Sequence, residues 1–253
     1  MQILKFVRYR QDNMKLTYIY HSCFALETDN LTIIFDYFKD SGETPSGGQV
    51  NDYMLTCPGK LYVLSSHSHY DHFNKEILKW KLRRPDIQYI LSKDILDCKK
   101  AHAEDAVFID KGETYKDEYL LIKAFGSTDA GVSFLVETGG KKIFHAGDLN
   151  NWHWNEESTP EEVHEAEDFY LRELNTLAEY TTRLNVAMFP VDPRLGKDYM
   201  RGAEQFVSRI QTGIFVPMHF DEEYEKANAF KAYAEAHGCR FMDLTHKGET
   251  IEF

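Results

Sequence analysis

The sequence predicts an α/β protein in which two β-sheets pack together and helices cover their outer faces, a four-layer α+β arrangement. Its length of 253 residues suits a single domain over residues 1–253. Short apolar and β-branched runs predict strands, which gather in two strand-rich halves that each lead into helices. This order is not the strict strand–helix alternation expected of a barrel, so two packed sheets are favoured.

The predicted strands are short apolar runs bounded by turn residues. They are KLTYIY (15–20), CFALET (23–28), LTIIFDY (31–37), LYVLSS (61–66), IQYILS (87–92), VFID (107–110), YLLIKAFG (119–126), VSFLVET (132–138), KKIFHAG (141–147), LNVAMFP (184–190), GIFVPMH (213–219) and TIEF (250–253). Asp29-Asn30 and Gly139-Gly140 predict hairpin turns, and the Gly-, Ser- and Pro-rich run 39–52 predicts a loop.

The predicted helices follow these strands. They are KEILKWKLRR (75–84), residues 92–101, the segment 159–184, YMRGAEQFVSRI (199–210) and the segment 221–238. Asn74 is the expected cap of the first helix. Thr159 and Pro160 predict the start of the longest one.

Composition limits the classes of function. The net charge of −12, from 29 basic and 41 acidic residues, disfavours nucleic acid as a partner. The four scattered cysteines indicate free thiols. The N-terminus lacks the apolar core of a signal peptide, and no apolar run is long enough to span a membrane. We therefore expect a cytoplasmic protein with a small-molecule substrate. A homo-oligomer remains open.

The segment SSHSHYDHFNKEI (65–77) crowds His67, His69, Asp71 and His72 behind a predicted buried strand. Extended residues two apart point the same way, so His67 and His69 can approach one ion. Asp71 and His72 fall in the following turn, where a second ion beside the first suits them better. Imidazole and carboxylate bind Zn²⁺, and also Mn²⁺ or Fe²⁺. The alternative, a chance cluster of surface histidines, does not explain why all four follow a buried strand.

Further ligands are expected at other strand ends. Asp148 follows the strand in FHAGDLN, and His219 follows the strand in VPMHF. A lone residue of this kind is more often a cap or turn residue. Beside the His-rich segment, however, these two complete a set for two ions.

At this point the sequence resembles the metallo-β-lactamase superfamily, because HSHYDH matches its HxHxDH signature. In this resemblance Asp36 supports the site by holding a ligand histidine, Asp148 bridges two metals and His219 is the last metal-binding histidine. The resemblance implies an αββα sandwich with the site at one edge between the sheets. The stretches YHSCFALE, LTIIFDY and FHAGD look like the branch of ascorbate-6-phosphate lactonase-like proteins.

One departure from the family stands out. A further histidine is usual ahead of the strand that precedes the bridging aspartate, and here that region reads FGSTDAGVSF. Asp129 is one expected replacement, and His21, in the first loop, is another. A buried His21 bonded to backbone is an equally open interpretation. Without a replacement, the first position would be weak and the protein would hold one ion.

A loop after Asp148 carries Trp152, His153 and Trp154, which either wall a substrate pocket or pin the loop to the core. Arg194 and Lys197 follow another strand end. They are candidates for binding an anionic group, although a solvated loop is the more common outcome.

The resulting prediction is a metal-dependent hydrolase in which two divalent ions, Zn²⁺ first, share a hydroxide. Asp71 is the predicted catalytic residue, which ligates one ion, orients the nucleophile and passes a proton to the leaving group. The resemblance implies a small anionic lactone or other ester as substrate, with a phosphodiester second. A metal-binding protein without hydrolytic activity is the alternative from another class. An amidohydrolase barrel ranks lower, because it needs regular strand–helix alternation.

Overall fold

The computed structural model describes residues 13–44 and 47–253 and shows two seven-stranded β-sheets packed face to face. Helices cover the outer face of each sheet, so the predicted αββα sandwich is confirmed. Residues 1–12 of the predicted N-terminal segment, and residues 45–46 of the predicted loop 39–52, lie outside the described residues.

The first sheet has the strand order β14-β1-β2-β3-β4-β5-β6. Its strands are β1 (Lys15–Tyr20), β2 (Cys23–Glu27), β3 (Leu31–Phe35), β4 (Lys60–Ser65), β5 (Gln88–Ser92), β6 (Val107–Ile109) and β14 (Thr250–Glu252). Strands β14, β1, β2 and β3 pair antiparallel, and β3 to β6 pair in parallel. As a result, β1, β3 and β4 end at the same edge of the sheet.

The second sheet has the strand order β13-β12-β11-β10-β9-β8-β7. Its strands are β7 (Thr114–Lys116), β8 (Leu121–Gly126), β9 (Val132–Thr138), β10 (Lys141–His145), β11 (Arg183–Pro190), β12 (Gln211–Met218) and β13 (Arg240–Phe241). Strands β7 to β10 pair antiparallel, and β10 to β13 pair in parallel. Strands β8, β10, β11 and β12 therefore also end at a common edge.

Two hydrophobic cores hold the layers together. The larger lies between the sheets, where Phe24 and Phe35 of the first sheet pack on His145 of the second, and it extends under the helices of the second sheet, where Phe144 packs on Phe206. The smaller covers the outer face of the first sheet with residues such as Trp80. In the first sheet, neighbouring residues of one strand alternate between the two cores, as pleated strands buried on both faces require.

Six α-helices form the outer layers within the described residues. They are α1 (Glu76–Lys79), α2 (Lys93–Asp97), α3 (Pro160–Tyr180), α4 (Arg201–Arg209), α5 (Tyr224–Asn228) and α6 (Lys231–Ala236). A π-helical turn lies at Gln49–Tyr53, and tighter 3₁₀ turns lie at Met54–Thr56, Trp80–Leu82 and Pro193–Asp198. Thr159 caps α3 through a reciprocal pair of bonds with Glu162, as the sequence predicts.

The structure corrects several predicted boundaries. The helix predicted over 75–84 is one α-turn that tightens into a 3₁₀ turn, because Pro85 follows and disfavours helical geometry before it. The helix predicted over 221–238 is divided into α5 and α6, with the buried Phe230 packed on Phe215 at the junction. The sequence missed β7 and β13, which have three and two residues and no apolar periodicity of their own.

Two whole-chain predictions also have a structural outcome. Cys23, Cys57, Cys98 and Cys239 are all free thiols. In residues 13–44 and 47–253, no helix combines the length and the apolar character that crossing a membrane requires.

Candidate metal centre

The candidate site lies along the edge where strands of both sheets end, which is where ligands of open sheets collect. Seven strands deliver a polar side chain to it just past their last residue. They are His21 after β1, Asp36 after β3, the segment 67–72 after β4, Asp129 after β8, Asp148 after β10, Asp192 after β11 and His219 after β12. The edge therefore brings together residues up to 198 positions apart (219 − 21).

The backbone is strained at three of these residues. His21, Asp36 and His219 have φ values of 56°, 43° and 63°, a left-handed region that costs side-chain-bearing residues about 1–2 kcal/mol each. Such strain persists only where the surrounding structure fixes it, and it collects at functional sites. His21 and His219 direct their side chains into the interior of the site, whereas Asp36 contacts Nδ1 of His72 from behind it.

Four side chains form a buried group that we call the inner cluster: His21, Asp71, His72 and His219. One ligand atom from each lies within 4.8 Å of all the others. Nε2 of His21 is 3.5 Å from Oδ2 of Asp71, and Nε2 of His219 is 4.0 Å from the same oxygen. The three histidines are buried, whereas Asp71 is partly open to solvent.

A second group, the outer cluster, consists of His67, His69, Asp129 and Asp148. Nε2 of His67 lies 3.1 Å from Nδ1 of His69 and 3.4 Å from Oδ2 of Asp148. Nδ1 of His69 lies 3.3 Å from Oδ2 of Asp129. His69 and Asp129 have half of their side-chain surface exposed, 50% and 49%, so this cluster opens to solvent.

Asp148 lies between the two clusters. Its Oδ2 faces His67 of the outer cluster, while its Oδ1 is 3.1 Å from Nε2 of His72 and 3.3 Å from Nε2 of His219. The carboxylate can therefore contact an ion in either position. This is the location expected of a residue that bridges two ions.

Asp36 orients two histidines of the HxHxDH segment. Its buried carboxylate accepts a bond from Nδ1 of His72 at 2.7 Å and another from the Ser66 hydroxyl at 2.6 Å. That hydroxyl lies 3.0 Å from Nδ1 of His67. Because both Nδ1 atoms are engaged behind the site, both Nε2 atoms face into it.

Aspartates also lie behind the other two inner histidines, although the mostly exposed Asp221 lacks hydrogen-bond geometry to its ring. Asp192 contacts Nδ1 of His219 at 2.9 Å, and Asp221 contacts Nδ1 of His21 at 3.1 Å. Arg194 donates hydrogen bonds to the Asp192 carboxylate from both Nε and Nη2. Every histidine of the inner cluster thus has an aspartate beside its rear nitrogen.

Charge complementarity shapes the titration of these groups. Burial would raise the pKa of Asp148, but the imidazoles of His72, His219 and His67 outweigh it and hold that pKa well below its usual range. Burial would lower the pKa of His72, but Asp148 and Asp36 raise it well above its usual value. Burial also raises the pKa of Asp192, yet the bonds from His219 and Arg194 bring it down to about 2.

The residues present fit divalent cations. Neighbouring ligand atoms of a tetrahedral site lie roughly 3.3 Å apart, and three atom pairs of the outer cluster are separated by 3.1–3.4 Å. Four buried atoms that face the clusters have no hydrogen-bond partner among the described residues: Nε2 of His21, Nε2 of His72, Nε2 of His219 and Oδ1 of Asp148. Buried polar atoms are rarely left unpaired, so their convergence supports a bound cation.

Two glycines let other strands approach this edge closely. At Gly131, with φ of 62°, an added Cβ would overlap the Ser66 carbonyl oxygen and lie 2.6 Å from Cβ of His67. At Gly147, with φ of 52°, it would lie 2.8 Å from Cβ of Ser66. Only glycine permits both the left-handed backbone and this contact.

The structure leaves three of the candidate residues outside both clusters. The ring nitrogens of His153 bond to the Asp198 carbonyl and the Asn155 N–H, so this side chain pins its loop. Arg194 is committed to Asp192 and is not free to bind an anion through the same atoms. Lys197 lies in the 3₁₀ segment Pro193–Asp198.

Aromatic side chains flank the opening on two sides. Trp152 lies 5.6 Å from His219, ring centre to ring centre, and stacks on Trp154. On the other side, Phe38 contacts His21 and the 73%-exposed Tyr70. These rings form walls beside the two clusters.

Sequence reasoning missed Asp192 and Asp221. Asp192 follows the strand in LNVAMFPVDP, so it carries the same signal that singled out Asp148 and His219. Asp221 is two residues after His219. Neither has a spacing that marks it as a histidine partner.

Comparison with known proteins is consistent with this site. The family model for the beta-lactamase superfamily domain matches residues 15–219. A curated relative from Salinibacter ruber, named a UPF0173 metal-dependent hydrolase, is 38% identical over 64 residues. That alignment covers 24% of this chain and 24% of the relative, so the chain spans about a quarter of the length of the protein it matches.

Solved structures share the fold. Igni18, described as a novel metallo hydrolase from Ignicoccus hospitalis, has a TM-score of 0.64 and 22% identity, over 95% of this chain and 98% of its own. CmlA from Streptomyces venezuelae, described as a diiron β-hydroxylase, has a TM-score of 0.65 and 15% identity, over 96% of this chain and 54% of its own. YhfI from Bacillus subtilis, a metallo-beta-lactamase fold protein, has a TM-score of 0.61 and 10% identity, over 96% of this chain and 100% of its own.

Proposed function

The chain belongs to the beta-lactamase superfamily, and we propose that it is a hydrolase that uses two divalent ions at the edge where its strands end. One observation carries the proposal: two clusters of histidine and carboxylate ligands lie side by side with Asp148 between them. The ligand roles of the clustered residues are part of this proposal.

Bound divalent ions supply Lewis acidity, which lowers the pKa of water and polarises the bond to be cleaved. One ion would be held by His67, His69, Asp129 and Asp148, and the other by His21, Asp71, His72 and His219 with Asp148. Asp71 is the proposed catalytic residue. Its Oδ2 faces His21 and His219, so Oδ1, on the partly exposed side chain, is the atom that takes a proton from the nucleophile and gives it to the leaving group.

The substrate we propose is a small anionic lactone or other ester. The resemblance to lactonase-like proteins suggests the reaction, and the aromatic walls beside the clusters suit a small molecule with an apolar portion. Lys39, which lies over the ring of Phe38 at 4.5 Å, offers a positive charge near one wall. A phosphodiester is the second candidate substrate, and metal binding without hydrolysis is the alternative function.

For the inner cluster we propose Zn²⁺, because three imidazoles and one carboxylate are typical zinc ligands. Iron is also a candidate, since CmlA, which shares the fold, is named a diiron enzyme. Metal analysis of the purified protein by mass spectrometry decides between them.

The test of function is a screen of lactones, phosphodiesters and thioesters with protein loaded with Zn²⁺ or Mn²⁺. We expect a lactone or ester to turn over, and Asp71→Asn to lower the rate about 10²–10⁴-fold. Asp97→Asn, an exposed change on α2, is the matched control. If fully loaded protein turns over none of these classes, or Asp71→Asn keeps the wild-type rate, the proposal is wrong.

A further inference from the structure

The two clusters differ in chemistry. The inner cluster offers three imidazoles and one carboxylate, whereas the outer cluster offers two imidazoles and two carboxylates, one of them the shared Asp148. Asp129 makes this difference, because it occupies the place where the resemblance leads one to expect a third imidazole. Carboxylates suit Mn²⁺ and Fe²⁺ as well as zinc, and two histidines with one carboxylate are a ligand set common at iron.

The clusters also differ in how firmly their ligands are held. Each inner histidine has an aspartate oxygen within 3.1 Å of its rear nitrogen, and two of these contacts, from Asp36 and Asp192 but not Asp221, are hydrogen bonds. In the outer cluster, His67 has only the Ser66 hydroxyl there. Partners behind a ligand orient it and raise its affinity for metal, and losing one costs about 10–100-fold.

The side chains of the two clusters also differ in solvent exposure. The three inner histidines are buried, while half of the side-chain surface of both His69 and Asp129 meets solvent. An ion held by half-exposed, less constrained side chains exchanges with solution more readily than one held by buried ligands. The ligand types, the contacts behind the ligands and the solvent exposure therefore all indicate weaker metal binding by the outer cluster than by the inner cluster.

We infer that Asp129 makes the outer position a weaker and exchangeable metal site, which discriminates less between Zn²⁺ and Mn²⁺ than the inner position does. The inference rests on the proposed function only in taking both clusters as metal sites. Asp129 is then the residue that sets metal specificity at the outer position.

The test is a titration of metal-free protein with Zn²⁺ alone or Mn²⁺ alone, in competition with a chelating dye, with bound Mn²⁺ followed by electron paramagnetic resonance. For wild type we expect a tight first ion and a second at least about tenfold weaker. Asp129→Ala should lose the second binding event and keep the first. Asp129→His should keep both and raise the ratio of Zn²⁺ to Mn²⁺ affinity at the second position about tenfold or more.

Asp97→Ala, on the exposed surface of α2, controls for the loss of an acidic group and should bind both ions like wild type. Two ions of equal affinity in wild type, or an unchanged ratio in Asp129→His, would overturn the inference while leaving the proposed hydrolase intact. Binding of no ion by wild type would instead remove the proposed function itself.

Discussion

The Asp192 carboxylate lies 2.9 Å from Nδ1 of His219, two residues that are 27 positions apart and that follow neighbouring parallel strands. The contact fixes the ring so that its Nε2 faces Asp148 at 3.3 Å. Arg194 in turn fixes Asp192 through its guanidinium fork. The position of Nε2 of His219 thus depends on a residue that belongs to neither cluster.

We expect Asp192→Asn to weaken the affinity of the inner cluster for Zn²⁺ by about 10–100-fold, because the amide keeps the size of the side chain but removes its charge. Titration of metal-free protein against a chelating dye measures the change. Arg194→Ala leaves the carboxylate in place and should have a smaller effect. Wild-type affinity in Asp192→Asn would show that the carboxylate does not position His219.

A second prediction compares two buried histidines. His21 belongs to the inner cluster. Both ring nitrogens of His153 instead form hydrogen bonds with the backbone of Asp198 and Asn155. We therefore expect His21→Ala to weaken the binding of the first ion, and His153→Ala to lower the melting temperature with metal affinity unchanged. Calorimetry of both variants with and without Zn²⁺ measures both quantities. Equal metal affinity in the two variants would place His21 outside the site.

Much of this site could be predicted from the sequence, because strand ends are visible as apolar runs that stop at a polar residue. The resemblance added Asp129 as a replacement for an expected histidine, whereas the strand-end signal identified Asp148 and His219 beside the HxHxDH segment. Neither could assign Asp129 to the outer cluster and His21 to the inner one. That assignment depends on how the two sheets face each other, which no local pattern records.

The orienting aspartates were less predictable for a related reason. Asp36 was expected from the resemblance alone, and Asp192 and Asp221 were not expected at all. Their role is defined by a distance to a ring nitrogen across strands. The predicted helix over 221–238 was wrong for a similar reason. It is divided into α5 and α6 where Phe230 packs on Phe215, a contact between separate elements of the fold.

Metal removal provides the third prediction. Without ions, buried ligand atoms of the inner cluster have no hydrogen-bond partner within the part of the chain that the structure describes. An ion at 100 times its Kd stabilises the folded state by about 2.7 kcal/mol, or roughly 5–10 °C in melting temperature for a domain of this size. A chelator should lower the melting temperature by this amount in wild type and by much less in Asp148→Asn. Identical melting curves with and without chelator would contradict the prediction.

The fourth prediction separates backbone strain from steric contact at Gly131. Gly140 has a similar φ of 74°, but an added Cβ there meets nothing within 4 Å. Gly140→Ala should therefore lower the free energy of unfolding only by the cost of a left-handed backbone at alanine, about 1–2 kcal/mol. Gly131→Ala should cost more and also weaken metal binding, because the new methyl group displaces His67. Urea unfolding and metal titration of both variants measure these effects, and equal losses would show that the contact with His67 is unimportant.

The fifth prediction concerns acid stability. Asp117, in the turn between β7 and β8, accepts a bond at 2.5 Å from the hydroxyl of Tyr62 on β4 and another at 3.0 Å from Tyr115, so it ties the two sheets together. Partial burial would raise the pKa of Asp117, but these bonds and two backbone N–H groups lower it below its usual value.

Because the folded state holds the pKa of Asp117 below its unfolded value of about 3.9, this carboxylate stabilises the protein above that pH. The contribution is lost as the pH falls through the lower, folded pKa. Tyr62→Phe removes the shorter bond, so the free energy of unfolding should be lower than wild type at pH 7 and should converge on it below about pH 4. Tyr115→Phe, which removes the longer bond to the same oxygen, should show the same convergence from a smaller initial difference. Urea unfolding of the metal-free proteins from pH 7 to pH 2 measures the difference, and a gap that stays constant over this range would show that the Tyr62 bond does not act through the ionised Asp117.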